Sequence, residues 1–110
     1  MHGTEFIDAK IKQRRVLLIS KRNSPTCQHI EGILRTYSLN RGKTNNFEVL
    51  YIECRKDCGT IETYLWHKLC YRNRQVPHLF LDGKHIGGEL EIKRLHESGE
   101  MRRIFTEAGL

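Results

Sequence analysis

Apolar residues along this chain switch between continuous runs, alternation and helical spacing, and the switches mark out its elements. Val16-Leu17-Leu18-Ile19 is an uninterrupted apolar run closed by Ser20, the pattern of a buried strand. From Pro25 to Leu39, residues Cys27, Ile30, Ile33, Leu34 and Tyr37 recur at helical intervals and predict a helix with one apolar face. Ser24 and Pro25 supply its start, a hydroxyl to cap the first turn and a proline whose missing N–H costs nothing there. Phe47 to Glu53 is rich in aromatic and β-branched residues and predicts a second strand. After Gly59, the four-residue steps through Ile61, Leu65 and Leu69 predict a helix capped by Thr60.

Val76 to Leu81 and Lys84-His85-Ile86 flank Asp82-Gly83, a hairpin signal because both turn positions favour positive φ. Gly87-Gly88 ends that strand. Glu89 to Glu97, carrying Leu90, Ile92 and Leu95, predicts a helix that stops near Ser98-Gly99, and Glu100 to Glu107 a further helical segment. The polar stretch 40–46 reads as a surface loop, and Glu5 to Lys12, weakly amphipathic through Phe6, Ile7 and Ile11, as a short helix or ordered arm. The order is β-α-β-α-β-β-α, an α/β fold with a four-stranded mixed sheet flanked by helices. The first strand–helix–strand unit implies parallel pairing, the hairpin antiparallel pairing.

Composition adds limits. At 110 residues the chain is of single-domain size, read as an N-terminal extension (1–14), open in part to a vector origin, and a domain over 15–110. No apolar run approaches the roughly 20 residues that span a bilayer, and Met1 to Phe6 lacks the apolar core of a signal peptide, so a cytoplasmic protein is expected. The net charge of +6 favours anionic partners, yet the basic residues are scattered without interleaved aromatics. That is the pattern of a solvated surface, and no nucleic-acid partner is expected. Four cysteines, Cys27, Cys54, Cys58 and Cys70, are too sparse for a disulfide scaffold and read as reduced thiols. Cys54-x-x-x-Cys58 has no second ligand pair at matching spacing, so no metal is expected.

The candidate chemistry lies at Ser20-Lys21-Arg22-Asn23-Ser24-Pro25-Thr26-Cys27, where a strand feeds a helix N-terminus. Unpaired N–H groups and the positive dipole end would stabilise a thiolate there and activate it near neutral pH. The cap, however, is Ser24, and the thiol lies one turn on at Cys27, facing the apolar stripe and expected half-buried.

With Ser20-Lys21 before that loop, Gln75-Val76-Pro77 before the third strand, Asp82-Gly83-Lys84-His85-Ile86-Gly87-Gly88 and Leu95-His96-Glu97-Ser98-Gly99, the chain resembles the glutaredoxins of the thioredoxin-like fold over about residues 15 to 107. The resemblance implies a glutathione-dependent thiol–disulfide oxidoreductase, with glutathione as co-substrate and disulfide-containing or glutathionylated proteins as partners, monomeric and away from membranes. It places Ser24 at the nucleophile position and Cys27 at the resolving position. A serine hydroxyl neither ionises near neutral pH nor forms a mixed disulfide, so ordinary turnover is not expected of Ser24. Two explanations stand: replacement of a cysteine, the favoured one, or a natural non-catalytic module that binds a peptide or protein in the same groove. Glutaredoxins that bridge iron–sulfur clusters use that first cysteine, so no cluster is expected either.

The resemblance also implies the groove. Lys21 would meet the glycine carboxylate of glutathione, with Arg72 or Arg74 as a second cation. The Val76 backbone would pair with the ligand's cysteine, beside a cis Pro77. Gly87-Gly88 would allow close approach, with Gly88, Glu89 and Leu90 opening a helix that receives the γ-glutamyl carboxylate. Three departures stand out: Thr26 for the loop tyrosine, Gln75 for the usual threonine, and Glu89-Leu90 where the acid for the ligand's ammonium is usual. Glu89 or Glu91 would have to substitute for that acid, and weaker or altered glutathione binding follows.

Overall fold

A computed structural model describes residues 3–37, 39, 47–69 and 76–110. The elements, in chain order, are α1 (Gly3–Gln13), β1 (Val16–Ser20), α2 (Pro25–Arg35), β2 (Phe47–Tyr51), α3 (Cys58–Leu69), β3 (His78–Leu81), β4 (Lys84–Gly87), α4 (Glu89–Ser98) and α5 (Glu100–Glu107). The four strands form one sheet in the order β2-β1-β3-β4. β1 pairs in parallel with β2, Val16 opposite Phe47, and antiparallel with β3, Leu18 opposite Leu79. β3 and β4 form the hairpin, with Asp82 at φ 49° and Gly83 at φ 84° in its turn. The mixed sheet and its strand order are thus those of the thioredoxin-like fold.

β1 is central, and every one of its residues is buried. Its alternating side chains therefore enter two different cores. Leu17 and Ile19 join Ile7 and Ile11 of α1, Ile61 and Leu65 of α3, Ile52, Val76 and Phe80. Val16 and Leu18 join Ile30 and Leu34 of α2, Ile92 of α4, Met101 and Phe105 of α5, Leu39 and Leu79. α1 packs on α3 across the first core, and α4 packs on α2 and α5 across the second. One residue crosses over: Cys27 belongs to α2 yet contributes to the core shared by α1 and α3.

The N-terminal arm is a full helix, α1, because Ile7 and Ile11 complete that core. Tyr64 Oη donates to Asp8 at 2.7 Å and holds α1 to α3. Elsewhere four ends shift. α2 stops at Arg35, where the Thr36 hydroxyl and amide both turn back to the Ile33 carbonyl, although Leu39 still reaches the core. α3 begins at Cys58, so Thr60 is its third residue and not its cap. The first intrahelical bond runs from the Ile61 amide to the Asp57 carbonyl, while the Asp57 carboxylate is held by Arg55. β2 and β3 are shorter than their apolar runs: Glu53 lies beyond β2, and Val76-Pro77 forms a bend before β3. The loop predicted at 40–46, Cys70, Arg72, Arg74 and Gln75 lie outside the described residues.

Candidate active site

β1 ends at Ser20, and three loop residues later Ser24 caps α2 in an extended conformation, its Oγ accepting from the Cys27 amide at 3.3 Å. Pro25 follows at the first helical position. Ser24 is partly exposed, so its hydroxyl sits at the mouth of a helix N-terminus, the place where an anionic sulfur would be stabilised. Cys27, one turn on, is wholly buried. That corrects the expectation of a half-buried thiol. Its side chain turns into the core of Leu17, Ile19, α1 and α3, so its sulfur is closed to solvent.

The Val76–Pro77 peptide is cis, and both residues are buried where the chain enters β3. Lys21 sits in the loop after β1. Its Nζ pairs with Glu62 Oε2 on α3 at 3.0 Å. Partial burial works against the ammonium, but the hydrogen bond and charge of Glu62, with smaller effects from the Cys58 and Cys27 sulfurs, outweigh it and raise the Lys21 pKa. Cys58 opens α3 with its Sγ 3.8 Å from Glu62 Oε1. Burial pushes the Cys58 thiol up, Lys21 pulls it down, and Glu62 and Glu53 add to the rise. Cys58 is therefore held as a neutral thiol despite its helix-end position. Sequence reading missed Glu62: a glutamate inside a helix carries no signal until the fold brings it to Lys21.

At the far end, α4 begins after Gly88, and both Gly87 and Gly88 are buried. Glu91 reaches back so that its Oε1 accepts from the Gly88 amide at 2.8 Å, one half of a capping box. Glu89 pairs with Lys93 at 2.9 Å along the helix, and Leu90 is exposed. Gly87 owes its identity to this cap: at φ 151° a Cβ there would lie 2.4 Å from Glu91 Cβ. The tight approach that the Gly-Gly pair permits is thus first an approach of its own helix. Glu91 thereby occupies the Gly88 N–H at the start of α4. Thr26, in the first turn of α2, is partly exposed. Among the described residues, no group of three or more His, Cys, Asp or Glu is placed to hold a metal, and no helix is long and apolar enough to cross a membrane.

No family model matches the sequence. Individual relatives do. Glutaredoxin-C4 of Arabidopsis thaliana is 26% identical over 108 residues, covering 96% of this chain and 72% of that protein. Glutaredoxin-1 of Oryctolagus cuniculus is 29% identical over 105 residues, covering 96% and 94%. The chain is similar to glutaredoxins over nearly its whole length. Solved structures share the fold: a buckwheat glutaredoxin–glutathione complex superposes with a TM-score of 0.79 at 20% identity, covering 96% of this chain and 88% of that one. The holo form of glutaredoxin C1 from Populus tremula x tremuloides superposes at 0.80 with 19% identity, covering 96% and 87%. At the level of the glutaredoxins that it resembles, the chemistry is thiol oxidoreduction.

Proposed function

We propose that this groove serves glutathione-dependent thiol–disulfide exchange and that Ser24 stands where the attacking cysteine would be, leaving the chain as written inactive or much weakened. The observation that carries this is the Ser24 side chain at the N-cap of α2, accepting from the Cys27 amide. A sulfur in that place would receive the same N–H and the same dipole, and would be a thiolate near neutral pH. With cysteine at 24, that thiolate attacks one sulfur of a glutathionylated protein, the protein thiolate leaves, and glutathione remains on the enzyme as a mixed disulfide. A second glutathione thiolate then attacks the glutathione sulfur, releasing oxidised glutathione and regenerating the enzyme thiolate. Cys27 would resolve mixed disulfides with protein dithiols, which requires its buried side chain to move out.

In this reading Lys21 meets the glycine carboxylate, with Arg72 or Arg74 beside it. Gln75, Val76 and Pro77 present a backbone edge, and Gly88, Glu89 and Leu90 receive the γ-glutamyl end, with Thr26 at the loop. Disulfide-containing or glutathionylated proteins are the substrates, and a cytoplasmic monomer is the working form. The test is Ser24→Cys assayed beside the parent for glutathione-coupled reduction of a mixed disulfide. The variant is expected to turn over at least about a hundredfold faster than the parent, since a hydroxyl at its ordinary pKa is no nucleophile for sulfur. If the variant is as inert as the parent, the enzyme reading fails. The second reading, a non-catalytic module binding a peptide in the groove, then stands. It is favoured by the complete burial of Cys27, which leaves no exposed thiol in the Ser24–Cys27 loop.

A further inference from the structure

Lys21, the cation assigned above to the glycine carboxylate, already has an anion. Its ammonium lies 3.0 Å from Glu62 Oε2, and the pair is mostly withdrawn from solvent, with side-chain exposures of 27% and 15%. The other Glu62 oxygen faces Cys58 Sγ, so both carboxylate oxygens are engaged. Glu53 contributes to the same field, its Oε1 accepting from the Arg22 amide at 3.2 Å and its charge acting on Cys58. Glu89 and Glu91 lie in the first turn of α4 at the opposite end. Glutathione carries two carboxylates and one ammonium, and each carboxylate is directed at a position where this chain already places one of its own.

We infer that Glu62 is a specificity-determining residue, which occupies Lys21 and lowers the affinity of the groove for ligands that end in a free carboxylate. The inference rests on the glutathione reading above and sharpens it. A ligand carboxylate has two routes to Lys21. It can displace Glu62, leaving a partly buried carboxylate without its cation, or it can share the lysine, setting two anions on one ammonium. Both routes cost free energy that a neutral residue at 62 would spare. A ligand whose chain continues as a neutral amide at that point meets no such competition, so the groove discriminates toward extended peptide segments and against free glutathione.

The experiment titrates reduced glutathione, and glutathione amidated at its glycine carboxylate, into the full chain and into Glu62→Gln, followed by amide resonances near Lys21, Val76 and Gly88. Glutamine keeps the side-chain shape and removes the charge. Glutathione is expected to bind the variant about five- to tenfold more tightly than the parent, the size expected for one partly buried ion pair. The amidated ligand is expected to bind both chains alike, and Lys21→Gln in the Glu62→Gln background is expected to abolish the gain. Glu62→Ala serves as a second variant with the same expected direction. Equal or weaker glutathione binding in both Glu62 variants, or an equal gain with the amidated ligand, overturns the inference while leaving the glutathione groove intact. Absence of glutathione binding by every chain overturns the groove assignment itself and this inference with it.

Discussion

Among the described residues, His78 departs far from its ordinary chemistry. It opens β3 directly after the cis Val76–Pro77 bond, is fully buried, and brings its Nδ1 to 3.2 Å from His85 Nε2. Burial first, then the neighbouring His85, push its pKa down to about 4, against a smaller upward pull from Glu91. His85 is lowered as well, chiefly by its own burial. The unfolded chain binds a proton at His78 near the ordinary histidine value of about 6.5, while the folded chain binds it only near about 4. Stability is therefore full above that value, falls as the pH drops through the window between it and about 4, and stops falling once His78 protonates in the folded state. Between pH 7 and pH 5 the expected loss from His78 is about 2 kcal/mol, read as a drop in the urea midpoint. A midpoint flat across that interval would count against a neutral buried His78. In the sequence His78 is one residue of the run Val76 to Leu81 with nothing to set it apart, because burial, and not the local pattern, sets its proton affinity. The same holds for Cys27: its helical spacing showed that it faced inward, but not that it crosses to the core of α1 and α3.

At the scale of elements, the junction from β4 to α4 is tightly constrained. Gly87 holds φ at 151° and its missing Cβ leaves room for Glu91, whose carboxylate closes the first turn on the Gly88 amide. In Gly87→Ala the new methyl would collide with Glu91 Cβ and the backbone would be strained besides. The expected cost is at least about 2 kcal/mol, with fraying of the first turn of α4, read by denaturation and by amide exchange at Glu89 to Glu91. Gly87→Ala at parental stability would show that the cap is not built as described. The Gly-Gly break and the following helix were legible, since glycine after a strand and apolar residues at helical steps are local signals. The start of α3 was not. Thr60 has a capping side chain, but the chain enters the helix at Cys58 because Arg55 and Asp57 shape the turn before it. The end of α2 was overrun for a related reason: Tyr37 continues the helical spacing of Ile30, Ile33 and Leu34, but Thr36 folds back on Ile33 and ends the helix.

For the molecule as a whole, the fold was legible because the β1 run, the crossover helix and the Asp82-Gly83 hairpin are each local and together admit one mixed sheet. The site was legible only in outline, because its decisive pairings, Lys21 with Glu62 and Gly88 with Glu91, join residues whose sequence neighbours say nothing of them. The sheet also acts as a partition. Ile61 of α3 and Ile92 of α4 are both fully buried, but in the cores on its opposite sides. Ile61→Val and Ile92→Val are each expected to cost about 1 kcal/mol, and the double variant the sum to within about 0.5 kcal/mol. A larger coupling energy would mean that the two compartments communicate through the strands. If they do not, the wall that holds Cys27 can be altered at a loss of stability that is then restored by better packing among α2, α4 and α5. Changes of chemistry on one side and reserves of stability on the other can accumulate in either order, without either obstructing the other.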